Sequence, residues 1–138
     1  MKKFQILILI IIFSGCKSIK AQHKGDCNHV IDRELNKEIY SDPDILPQFQ
    51  EGLVGFNKFL MKNFKYPDQD TFQGHIKYSV VIDNDGQLID AKIYGKKEEG
   101  YTPFDKEAIR VIKLSPKWKP GECSGRKIAV RMTIPVRL

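Results

Sequence analysis

Apolar residues recur at helical spacing between Gly52 and Phe64. Leu53, Phe56, Leu60 and Phe64 fall at three- and four-residue steps, with Phe59 and Met61 beside them. This predicts an amphipathic helix whose stripe faces a core, and Pro67 ends it by turning Tyr66 away from the helical region. The period then changes from 3.6 to 2. Ile76, Tyr78, Val80 and Ile82 alternate along one strand from about Ile76 to Asp83, and Ile89, Ala91 and Ile93 along a second from Gln87 to Tyr94. Asn84, Asp85 and Gly86 between them tolerate the positive φ of a tight hairpin, so Asp83 and Asp85 read as turn chemistry rather than calcium ligands. A second helix opens at Thr102, Pro103 and Asp105, an N-cap, a first-turn proline and a capping-box partner. Its stripe is Phe104, Ala108, Val111 and Ile112, and Pro116 stops it. The chain then alternates to its end. Ile128, Val130, Met132, Ile134, Val136 and Leu138 interleave with Lys127, Ala129, Arg131, Thr133, Pro135 and Arg137. Pro135 cannot donate to a ladder and marks this final strand as an edge.

The order helix, hairpin, helix, strand predicts an α+β fold: two helices packed on one face of a three-stranded antiparallel sheet. The domain spans residues 45–138. Trp118 is the sole tryptophan, framed by Pro116 and Pro120, and reads as a plug for one end of the core.

The first third has a different character. Lys2 and Lys3 precede an apolar run from Phe4 to Phe13, then Ser14, Gly15 and Cys16. This is signal-peptide architecture over residues 1–15, too short for a span of about 20 residues. Phe13-Ser14-Gly15-Cys16 is similar to a bacterial lipobox, which makes Cys16 the expected lipidation site and membrane anchor. Cleavage after Ala21 and an uncleaved anchor are the competing readings. Residues 16–44 read as a lipidated N-terminus and polar tether. Val30, Ile31, Leu35 and Ile39 give it mild periodicity, suited to a short helix or a strand approaching the domain, and a turn lies at residues 41–44.

Export places the chain in a compartment that permits disulfides. With Cys16 lipidated, Cys27 and Cys123 remain, available either as a bridge or as two separate thiols. The formal net charge of +6 is spread over helix and strand positions without a basic block or interleaved stacking aromatics, which argues against a nucleic-acid partner. No catalytic constellation, metal-ligand set or cofactor loop emerges. His23 and His29 lie in the tether, His75 begins a strand, and Cys27, His29 and Cys123 offer no fourth ligand at usable spacing. An enzyme is not expected.

Tyr66-Pro67, the strand and turn from Gln73 to Gly86, the helix from Phe104, the Trp118-Lys119-Pro120 element and the terminal Ile134-Pro135-Val136 together resemble the C-terminal domain of TonB, over roughly residues 45–138. The resemblance implies the α+β fold already read from the pattern. It also implies capture of a short extended segment, the TonB box of an outer-membrane transporter, along the edge of the last strand. Carried over, that edge is Lys127, Ile128, Ala129, Val130, Arg131, Met132, Thr133, Ile134 and Pro135. Tyr66 and Pro67 correspond to the family's Tyr-Pro motif near the contacted region, and Trp118 and Pro120 to a structural Trp-x-Pro element. The chain departs from TonB in having no Pro-rich spacer. Its tether of about 28 residues reaches at most ~100 Å. The expected role is therefore an exported binding module for a TonB-dependent transporter or another periplasmic protein, held at the cell envelope by lipid. The rivals are a short energy transducer with an uncleaved inner-membrane anchor, and a homodimer paired through its last strand.

Overall fold

The computed structural model describes residues 27–67 and 75–137. The leader, Cys16 and the tether up to residue 26 lie outside the described residues. Two helices and seven strands follow in the order β1 (His29–Asp32), β2 (Lys37–Tyr40), α1 (Gly52–Asn63), β3 (His75–Ile82), β4 (Leu88–Ile93), α2 (Pro103–Lys113), β5 (Gly121–Cys123), β6 (Arg126–Ile128) and β7 (Val130–Arg137). Among the described residues no helix is long and apolar enough to cross a membrane.

The α+β fold holds, with a larger sheet than the pattern predicts. Strands β4, β3 and β7 form the expected antiparallel trio, with β3 in the centre. Both helices pack on one face of it. Phe56 and Leu60 from α1, with Phe64 at its C-cap, meet Phe104, Ala108, Val111 and Ile112 from α2 over Ile76, Tyr78, Val80, Ala91, Ile93, Ile134 and Val136. Each strand contributes alternate residues to this core because side chains alternate across the pleat. Tyr78 is fully buried, and its hydroxyl donates to the Ala108 carbonyl (3.2 Å), tying sheet to helix. Burial pushes the Tyr78 phenol well above its ordinary pKa. The α2 start is the predicted capping box: Thr102 Oγ1 accepts from the Asp105 N–H (3.1 Å), and the Asp105 carboxylate accepts from the Thr102 N–H (3.0 Å). Burial works against the Asp105 charge, but hydrogen bonds from Lys96 and Thr102 outweigh it and hold the carboxyl below its usual range.

Three departures have physical causes. Residues 29–40, read as tether, are a hairpin joined to the sheet, which makes five strands in the order β1-β2-β7-β3-β4. The Asp32 carboxylate accepts the Glu34 and Leu35 N–H groups at the turn, and Asn36 takes a positive φ of 49°. That is turn chemistry, and it outweighs the helical spacing of Val30, Ile31, Leu35 and Ile39. Ile39 is buried against Val81 and Ala129 on the sheet face away from the helices, with Leu35 and Ile89 beside it.

The long final strand is instead two. β6 pairs with β5 through a two-residue turn, Ser124 and Gly125, both at positive φ as a primed turn requires. Ala129 interrupts the run before β7 begins. The third departure is Ile89, which leaves the face of Ala91 and Ile93. Between Val81 and Ile82 the register with β4 slips from Asp90 to Leu88, so Ile89 is an extra residue and faces the other side.

The β3–β4 turn is fastened to the Trp118 loop. Gly86 has φ +83°, and its carbonyl accepts the Trp118 N–H (2.8 Å). A Cβ at Gly86 would overlap the Trp118 carbonyl oxygen. Gly86→Ala combines this clash with a left-handed backbone, so a loss of about 2–4 kcal/mol is expected in chemical denaturation, against little change for Gly100→Ala, where a Cβ meets open space.

Candidate functional site: the open edge of β7 and its apolar cleft

The backbone of β3 decides which groups of β7 face outward. The Lys77 carbonyl accepts the Tyr94 N–H (2.8 Å), so Lys77 turns its polar groups toward β4. Such groups alternate along a strand, so Tyr78, Val80 and Ile82 bond to β7, where they face Ile134, Met132 and Val130. That leaves Arg131, Thr133, Pro135 and Arg137 with backbone groups directed away from β3. Pro135 has no N–H to leave unmet.

Part of that outer edge is already occupied. β2 runs parallel to β7 with Tyr40 opposite Val130, and the Tyr40 N–H donates to the Ala129 carbonyl (2.9 Å). This register sets the Tyr40 carbonyl beside the Arg131 N–H. The Arg131 side chain is engaged too, with a guanidinium nitrogen 2.8 Å from Asp32 and 3.7 Å from Asp90. The Leu35 and Glu34 N–H groups, together with Arg131, hold the Asp32 carboxyl below its usual range.

The edge predicted from Lys127 to Pro135 is therefore shorter and later. Lys127 and Ile128 pair with Glu122 and Gly121 in β5. Ala129 and Arg131 face the N-terminal hairpin. Among the described residues, Thr133 carries the first outward N–H with no strand beside it.

An apolar cleft of about 490 Å³ runs beside this open stretch. Met132, Thr133, Ile134 and Pro135 form one wall, Leu46 to Phe49 with Gly52 and Leu53 the other, and Phe56 and Trp118 the floor. Local pairing holds the second wall: Ile45 bridges Glu122, and Gln48 bridges Lys119. Trp118 is buried, stacked edge-on to Phe49 (5.2 Å) and tilted against Phe56 (5.4 Å), and its indole N–H donates to Ser115 Oγ (3.1 Å). Pro116 and Pro120 bracket it outside the helix and strands. Leu53, placed in the buried stripe by its spacing, is instead 73% exposed at the rim. Among the described residues no titratable side chain lines the cleft. It offers an apolar trough and main-chain hydrogen-bonding groups, which suit a polypeptide.

The structure does not bring Tyr66 and Pro67 to this cleft. Tyr66 packs on Phe64 (5.0 Å) and Phe104 (6.4 Å) beyond the C-terminal end of α1. Cys27 and Cys123 are bonded to each other as a disulfide, among Ile128, Val130 and Tyr40. Asp44 lies beside that pair, and its carboxylate accepts the Ser124 N–H (2.6 Å). His29 stacks on Tyr40 (5.0 Å), and His75 faces Arg137 (3.2 Å).

Residues 62–137, more than half of the chain, match the model of the Gram-negative bacterial TonB protein C-terminal family. The chain belongs to that family. No curated protein and no solved structure matches it. TonB C-terminal domains are protein-interaction and energy-transducing domains rather than enzymes. They act in the cell envelope in TonB-linked transport and interact with outer-membrane transporters. The match begins in the last turn of α1. The TonB-like part thus supplies Trp118 and the β7 wall, whereas Leu46 to Phe56 and the hairpin that covers Arg131 precede it.

Proposed function

We propose that this TonB-family protein binds an extended segment of an outer-membrane transporter, or of another periplasmic protein, by adding it as a strand to β7 from Thr133 onward. The carrying observation is the coincidence of the apolar cleft with the stretch of β7 that has no outer neighbour among the described residues. Main-chain bonds hold the segment, and every second side chain drops between Leu46, Leu53 and Trp118. Cys16 carries the lipid that keeps the protein at the membrane. Residues 17–26 then span at most ~35 Å before the disulfide at Cys27, so partners are met close to the bilayer.

Thr133→Pro tests the mechanism. The Thr133 N–H faces away from β3, so its loss leaves the sheet intact while removing the first outward donor. Titration of labelled peptides from transporter N-termini should show affinity falling at least tenfold, with an unchanged melting curve. Arg131→Pro should behave differently, loosening the N-terminal hairpin because its N–H faces Tyr40. Equal peptide affinity for the parent and Thr133→Pro proteins would place the site elsewhere.

A further inference from the structure

The positive charge of this protein is unevenly placed. Residues 45–65 and 113–120, the segments that meet at Trp118, hold six lysines and one acidic residue, Glu51, a balance of +5 against +6 for the whole chain. Outside these segments the formal charges nearly cancel, with 17 Lys and Arg against 16 Asp and Glu. Lys92, Lys96, Arg110 and Arg131 there sit in ion pairs with carboxylates, while the other described cations do not. Lys58, Lys62, Lys117 and Lys119 are exposed, and none has an ion pair among the described residues. Lys117 and Lys119 flank the cleft floor and are pinned to its wall, since Gln50 Nε2 donates to the Lys117 carbonyl (3.1 Å) and Gln48 bridges Lys119. Lys58 lies one turn beyond Val54 and three residues before Met61, so a lysine sits between two exposed apolar side chains. This surface continues outward from the rim at Leu53.

We propose that this surface receives an acidic, apolar-containing stretch of the same polypeptide whose extended segment adds to β7. The inference rests on the strand-addition reading and adds what that reading lacks, a charge preference. Backbone pairing accepts almost any extended sequence. Unpaired lysines beside the cleft favour carboxylates and repel basic segments. Val54 and Met61 give the flanking stretch apolar contacts, so the partner carries both residue types.

The test uses the purified full chain and three synthetic peptides. Each has the same alternating valine–threonine core, flanked by three residues of Asp, Asn or Lys. The Asp-flanked peptide should bind about tenfold tighter than the Asn-flanked one at low ionic strength, and the gap should close as salt rises. Replacing Lys58, Lys117 and Lys119 together with Gln should erase the gap while preserving the melting curve, and replacing them with Glu should reverse it in favour of the Lys-flanked peptide. Equal affinity for Asp and Asn peptides, a gap that survives the Gln variant, or no binding by any peptide would overturn the proposal. Thr133→Pro, measured in parallel, separates the two ideas. If it abolishes binding of all peptides while the lysine variants change nothing, strand addition stands and the lysine surface falls. Parental affinity together with an undiminished acidic preference in Thr133→Pro supports the lysine surface and removes strand addition.

Discussion

Trp118→Ala lowers the stability of the domain by about 3–5 kcal/mol, a large part of the ~5–15 kcal/mol that a domain of this size possesses. The ring is buried between Phe49 and Phe56, so its loss leaves a void bounded by aromatic faces that cannot close over it. The indole N–H bond to Ser115 is lost with it. A circular dichroism melt should show the midpoint falling by more than ~10 °C. Trp118→Phe keeps an aromatic ring on Phe49 and Phe56 and should recover most of that stability, losing mainly the Ser115 hydrogen bond. Because the ring floors the cleft, Trp118→Phe should weaken peptide binding more than it weakens the fold. An unshifted melt for Trp118→Ala would mean that the ring is not a core element.

Removal of the disulfide is the second large effect. Cys27 and Cys123 are 96 residues apart, so the bridge closes nearly the whole domain into a loop and restricts the unfolded chain strongly. Replacing both with Ser should cost about 2–5 kcal/mol, read as a lower denaturation midpoint. The damage should also be local. The hairpin of β1 and β2 meets β7 in register at one position only, Tyr40 opposite Val130. Without the bridge it keeps the burial of Ile39 and the ion pair of Asp32 with Arg131. Hydrogen exchange at Tyr40 and Arg131 should therefore accelerate more than exchange in β3. Uniform acceleration would show that the bridge acts on the unfolded state alone. If the hairpin limits the binding edge, the double variant should also accept peptides that pair further toward Ala129.

Much of the fold is legible in the chain because it rests on local periodicity. The capping box at Thr102 and Asp105, the Asn84-Asp85-Gly86 turn and the alternation from Ile76 to Ile82 each involve residues within a few positions of one another. The hairpin at residues 29–40 also left a local signal, an Asp and an Asn bracketing a tight loop between β-branched residues, but its helical spacing competes with that signal. The site was legible only in outline. Pro135 suggests an edge strand, whereas β7 lies between β2 and β3 in the sheet and, among the described residues, lacks an outer neighbour only beyond the Tyr40–Val130 pairing.

The sequence alone carries the two helices, the β3–β4 hairpin, the final alternating run, most of the buried face of each, and the TonB-family membership that their order conveys. Where the edge is free emerges only once the chain is packed. That depends on Tyr40 reaching Ala129 across 89 residues of chain, on Cys27 being bonded to Cys123, and on Leu46 and Leu53 standing opposite Met132 to Pro135. Long-range contacts of this kind leave no periodic trace. The outer face of β7 has the same alternation whether it is covered or open, and only the packing of the N-terminal hairpin against it separates the two.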